Sequence, residues 1–282
     1  MKPSCTAGAW CARLVLTAPL LSFTAQAALL GRLPETPGGN DYQAYYDTAL
    51  DITWIADANL AANQTFGASG VAADGRMDWN TAGNWIAAMN NAAYLGFSDW
   101  RLPSVGPLDG SGDPANMSNV FTTNASTPVG YAPTTTDGSD GGWRDPNGNP
   151  VSEMGHMYYV NLANRGYCPP EGSDGNPQTC DDAPQPDWGL LNSGPFAGLV
   201  AGGYWTGVEY TMDTTRAWSF GFSDGGQGTT DKAALLRVWA VRDGDVVVPL
   251  PASAWLFFGG LAGLVGLGRS GKRVRLERWQ RE

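Results

Sequence analysis

Basic charge, histidine and cysteine are all scarce in this 282-residue chain. Lysine and arginine number 17 against 27 aspartates and glutamates, a formal charge of −10. That balance gives no electrostatic footprint for nucleic acid and does not favour unassisted binding of sulfated or otherwise anionic polymers. The single histidine, His156, has no second imidazole to complete a transition-metal site. It sits among Met154, Met157 and Tyr158, which suits a packing role. The chain has no Gly-x-Ser-x-Gly elbow, no phosphate loop and no internal repeat. Carboxylates abound, yet nothing marks two of them as a glycosidase pair.

The two ends read as export signals. Residues 1–27 have positive charge at Lys2 and Arg13, an apolar run from Leu14 to Phe23, and a small-x-small site at Ala25-Gln26-Ala27. That is the pattern of a cleavable signal peptide, too short in its apolar part to span a bilayer. Residues 244–282 read as a second signal. Pro251 to Gly268 is uncharged, near the lower limit of about 18 residues for a spanning helix. Arg269, Lys272, Arg273, Arg275, Arg278 and Arg281 follow, which places that end in the cytoplasm and the preceding chain outside. Without residues 1–27 and 251–282, nine basic residues face 25 acidic ones, a charge of −16.

Val248-Pro249-Leu250-Pro251-Ala252, the apolar helix and the basic tail together resemble a PEP-CTERM sorting signal of the VPLPA variety. The resemblance implies a membrane exosortase as partner, in an exopolysaccharide-producing Gram-negative bacterium. It also implies a protein bound to the membrane before sorting, then released or re-anchored in the cell envelope or matrix. The tail from Val274 to Glu282 is longer than such signals usually carry.

Residues 28–243 form the domain between the signals, long enough for one sizeable core. Tyr42 to Tyr46 and Leu50 to Ile55, rich in aromatic and β-branched residues, predict a hairpin. Asp78 or Asn80 caps a helix that runs to about Tyr94, with Trp85, Met89, Ala92 and Ala93 as its apolar stripe and Gly96 at its end. Trp100-Arg101-Leu102-Pro103 predicts a short buried strand that stops at the proline, with Arg101 pointing away from Trp100 and Leu102 into a buried acidic partner. Residues 104–150 have almost no periodicity. Ser152 to Leu162 regains helical spacing with Ser152 as cap. Gly203 to Thr206, Ala217 to Phe222 and Ala234 to Val241 predict closing strands, with Asp224-Gly225-Gly226 as the turn between the last two.

Cys168 and Cys180 lie close in sequence in an exported chain and predict a disulfide, worth roughly 3 kcal/mol for so short a loop. Asp137 with Asp140, and Asp174 with Asp181 and Asp182, offer hard oxygen ligands for calcium in acidic loops that solvation explains as well. Gln185-Pro186-Asp187 equals a sugar-binding tripeptide of C-type lectins, without the Trp-Asn-Asp that completes their calcium site.

An ordered set of pieces runs through residues 41–243. These are Thr53-Trp54, Asp57 to Leu60, the helix around Trp85 and Trp100 to Pro103, followed by Met154 to Tyr159, Tyr204 to Tyr210, Ala217-Trp218 and Trp239 to Arg242. Together they resemble the C-terminal domain of the legionella collagen-like adhesin. The Trp-Arg-Leu-Pro segment is similar to that of formylglycine-generating enzymes and the wider C-type-lectin-like fold. The resemblance implies an α+β domain with two helices, a small antiparallel sheet and long loops, with Trp54, Trp100, Arg101, Leu102, Pro103, Trp205 and Trp218 as fold residues. Enzymatic activity does not carry over, because those enzymes use reactive cysteines. The expected function is an exported, non-catalytic surface module associated with glycan or exopolysaccharide and needing no cofactor. A structural biofilm protein without specific ligand, and an enzyme acting on extracellular polysaccharide, are the two alternatives. Mutating Pro249 and Pro251 is expected to trap an uncut membrane-bound form, and mass spectrometry of the mature C-terminus in cells carrying an exosortase checks it. An intact Glu282 on the dominant species would leave an ordinary anchor.

Overall fold

The computed structural model describes residues 29–117, 129–131, 143–168 and 184–246. Residues 1–28 and 247–282, where the two expected export signals fall, the Val248–Ala252 motif among them, lie outside the described residues, as do the five aspartates of the calcium candidates and Cys180. The predicted hairpin forms from β2 (Tyr42–Asp47) and β3 (Ile52–Ile55), with Tyr45 opposite Trp54. All four β3 residues are buried, so this strand is covered on both faces and its polar member must be satisfied. Thr53 meets that requirement by donating its hydroxyl to the Gly244 carbonyl at 2.7 Å.

β1 (Leu29–Pro34) precedes the hairpin and pairs with β2, and β7 (Val241–Asp243) closes the other side of β3. This four-stranded antiparallel sheet has the order β1-β2-β3-β7. A second antiparallel sheet, β4-β5-β6, contains β4 (Gly203–Glu209), β5 (Arg216–Gly221) and β6 (Gln227–Asp231). The domain is therefore α+β, with two small sheets where one was expected. The Asp224-Gly225-Gly226 turn joins β5 to β6, not to Ala234–Val241. The latter segment is no single strand. It bonds Met77 through Leu236, β4 through Arg237, and β3 through Ala240 and Val241, so it crosses from one sheet to the other.

Asp78 caps α1 (Trp79–Asn91), its carboxylate accepting from the Thr81 N–H at 2.8 Å. Ala82, Trp85, Ile86 and Met89 form the buried stripe. Ala92 and Ala93 are exposed, because the helix stops at Asn91 and Ala93 turns left-handed at φ 46°. Ser152 caps α2 (Glu153–His156) through the Gly155 N–H at 3.0 Å, and the chain then widens into a π-helical turn over Met157–Asn161. A Cβ on Gly155 would lie 2.7 Å from the Trp143 ring, so only glycine lets that indole lie against α2.

The core between these elements is aromatic. Trp239 lies 4.5 Å from Trp54 and 4.7 Å from Phe196, ring centre to ring centre, and Phe222 and Tyr204 complete the cluster. Indole N–H groups of Trp239, Trp205, Trp85 and Trp100 donate to the carbonyls of Ile55, Met77, Gln64 and Tyr94, so the same rings that fill the core satisfy its irregular backbone.

The Trp100–Pro103 segment makes one bridge, at Arg101 with Val241, rather than a full strand. Its Trp100 backbone is bound instead by a side chain. Asn90 on α1 donates to the Trp100 carbonyl and accepts from its N–H, each at 2.8 Å. Asn90→Ala leaves both groups without their partner at a residue that is 2% exposed. The expected loss is about 2–3 kcal/mol, read by urea denaturation. A variant within about 0.5 kcal/mol of wild type would show that the helix does not hold this segment.

Candidate functional site

Arg101 has the side chain around which an open cleft is built. Its Nη1 and Nη2 form a two-pronged pair with Glu153 at 2.8 and 2.7 Å, and its Nε and Nη2 reach Asp243 Oδ1 at 2.9 and 2.6 Å. Nη1 also donates to the Leu102 carbonyl. Burial pushes the guanidinium pKa down, and the bonds to Glu153 and Asp243 more than offset that, so it ends raised. The predicted acidic partner is therefore present twice. The predicted full burial is not, since the Arg101 side chain keeps 32% exposure and Asp243 keeps 79%. The cause is position: the segment lies at the rim of the cleft, where β7 ends, and water reaches one side of the pair.

The cleft has a volume of 670 Å³. Leu102, Pro103 and Ser104 form one wall, and Gly207 and Val208 of β4 another. Its floor is the exposed face of α1, where Asn80, Gly83 and Asn84 follow helical spacing. Trp79 stands at the helix start. Its indole donates to the Thr206 carbonyl at 2.9 Å, and Lys232 Nζ lies 4.4 Å from its ring centre while pairing with Glu209. The ring is thus held at its edge and over a face before any ligand arrives. Gly83 is the unusual floor residue. A Cβ there would meet no atom of the described residues within 4 Å.

The sequence foresaw Arg101, Leu102 and Pro103 but not what faces them. Glu153, Asp243, Trp79 and the α1 floor are far away in the chain and meet only through folding. The polar spacing Asn80-Gly83-Asn84 was the available signal, since it marks one outward helix face. Trp54, Trp205 and Trp218 lie in the interior instead. Trp54 and Trp205 belong to the main core, and Trp218 packs with Val105, Met117 and Tyr210. Gln185, from the lectin-like tripeptide, donates to the carbonyls of Gly166 and Cys168, which gives its amide a structural task. Cys168 is buried and disulfide-bonded. Among the described residues, no group of three His, Cys, Asp or Glu side chains is placed to hold a metal ion, and no helix is long and apolar enough to cross a membrane.

Fold and site together define a mixed α+β domain with an open cleft built on a doubly paired arginine. No family model, curated protein or solved structure matches the chain.

His156 packs in the core as expected, but its ring is not satisfied. It is 2% exposed, and among the described residues neither ring nitrogen has a hydrogen-bond partner. Nε2 lies 3.9 Å from Oδ2 of the buried Asp47, which accepts from the Asn161 amide and, through Oδ1, from the Ala49 and Leu50 N–H groups. Burial lowers the His156 pKa; Asp47 pulls it back up in part, and Arg144 adds to the lowering. Protonation therefore favours the unfolded chain, where the value is about 6.5. The contribution is fully present above about pH 6.5 and is lost as pH falls below it toward the folded value. Asp99 and Asp245 are held below the ordinary carboxylate range by hydrogen bonds to Arg242 and Arg32, so their losses come at more acid pH. The melting temperature is expected to fall between about pH 7 and pH 5 in wild type and to stay flatter in His156→Gln, measured by calorimetry. Parallel curves would remove His156 as the cause.

Proposed function

We propose that this chain is an exported, non-catalytic surface module that binds polysaccharide in the Arg101 cleft and is sorted by an exosortase through its C-terminal signal. The observation that carries this reading is Gly83. A glycine inside an exposed helix costs about 1 kcal/mol relative to alanine. Nothing among the described residues requires it, because none of them occupies the space where its side chain would stand. The helix gives up stability to keep the floor of the cleft clear, as a site would that admits a ligand close to its backbone.

The remaining groups suit a polyol. A fixed indole offers an apolar face for a sugar ring, and the Asn80 and Asn84 amides and the Ser104 hydroxyl offer neutral hydrogen bonds in an open groove. Turnover is disfavoured by the same geometry. Glu153 and Asp243 both accept hydrogen bonds from Arg101, so they anchor the guanidinium rather than stand as the facing acid and nucleophile of a glycosidase pair. The membrane is a partner only before sorting, and nucleic acid is not one, given the −16 charge of residues 28–250.

Gly83→Leu separates binding from folding. It is expected to raise the melting temperature by about 2–4 °C, through better helix propensity, while abolishing retention on the polysaccharides that hold wild type in affinity electrophoresis. Unchanged retention would remove the cleft as the binding site.

A further inference from the structure

We propose that the ligand of this cleft is a polysaccharide carrying free amino groups. The proposal rests on the binding reading above and specifies the chemistry of its ligand. It starts from what Arg101 cannot do. All five of its N–H donors are engaged, by Asp243 Oδ1 twice, Glu153 Oε1 and Oε2, and the Leu102 carbonyl. No N–H is left for a uronate, sulfate or phosphate. The other nearby cation, Lys232, lies over one face of the Trp79 ring and pairs with Glu209.

The anionic side of the cleft is not used up in the same way. Arg101, Glu153 and Asp243 are the charged residues of its lining, so two carboxylates face one guanidinium. Glu153 is closed in, with 15% of its side chain exposed; Oε1 accepts from Arg101, and Oε2 from Arg101 and the Ser104 N–H. Asp243 is open, and its Oδ2 makes no hydrogen bond among the described residues. The free charged atom of the site is thus an acceptor carrying negative charge, at the rim of a groove whose other polar side chains, the Arg101–Glu153 pair apart, are neutral amides, a hydroxyl and an indole. An ammonium group on a sugar ring supplies what that atom lacks, while the ring's hydroxyls meet Asn80, Asn84 and Ser104. The excess of 25 acidic over nine basic residues across positions 28–250 attracts such a polycation and repels uronate chains.

The test uses the full chain and three hexasaccharides in calorimetric titrations at about pH 6, below the usual amine range. They are glucosamine, with free amines; N-acetylglucosamine, with the same backbone and blocked amines; and mannuronate, with carboxylates. The free-amine form is expected to bind roughly fivefold or more tightly than the acetylated one, and the gap should close in high salt. Asp243→Asn is expected to erase the gap. Because that change also touches the Arg101 pair, Asn84→Lys is the second variant. It adds a cation at an exposed helix position and is expected to weaken the free-amine ligand more than the acetylated one, without lowering the melting temperature. Equal affinity for the free and blocked forms, or tighter binding of mannuronate, would overturn the amine proposal while the Gly83→Leu result keeps the cleft as a glycan site. Absence of binding to these three and to a broad glycan array would overturn both.

Discussion

Five residues of backbone, Trp100 to Ser104, tie the two sheets and both helices together. Asn90 of α1 grips both polar groups of Trp100. The Arg101 N–H and carbonyl pair with Val241 of β7 at 2.7 and 2.9 Å. The Pro103 carbonyl accepts from Gly207 of β4, and the Ser104 carbonyl accepts from Glu153 of α2. Trp100 and Leu102 bury their side chains between these attachments, and Arg101 points the other way into its carboxylates. A chain with alternating side-chain directions can serve core and surface at once, and here it does so over very few residues.

That economy explains why the cleft lies where it does. The pieces that hold the segment are also the walls of the opening, so the site is set on helix and strand backbone rather than on a long loop. Three arginines near the end of the first sheet each take an aspartate, Arg101 with Asp243, Arg242 with Asp99 and Arg32 with Asp245. In a domain so short of cations, these forks commit most of the nearby positive charge to structure. Residues 28–250 keep a negative excess, and among the described residues the cleft keeps a free carboxylate oxygen.

Local rules predicted elements wherever local chemistry decided them. Asp78 and Ser152 are caps in sequence and in structure, since a cap bonds within its own first turn. The β2–β3 hairpin formed as its pattern required. β1 and β6 escaped notice for the converse reason. Leu29-Leu30-Gly31-Arg32-Leu33-Pro34 and Gln227-Gly228-Thr229-Thr230-Asp231 lack a strong alternating pattern and become strands because β2 and β5 offer them backbone partners. Ala234 to Val241 looks like one strand and is divided among three neighbours, a choice that no local pattern encodes.

The sequence by itself determined the charge balance, the export-like ends, the aromatic supply of the core and the Trp-Arg-Leu-Pro segment. These are properties of composition or of neighbours in the chain. Only the tertiary structure decided that Glu153 and Asp243 share one arginine and that Asp243 keeps an oxygen free. It also decided, among the described residues, that Gly83 lies beneath an open space and that His156 is enclosed beside Asp47 without a hydrogen bond of its own. Each depends on distances between residues remote in sequence. Such distances are set by how the aromatic core packs the two sheets and helices together, and not by any stretch of chain read alone.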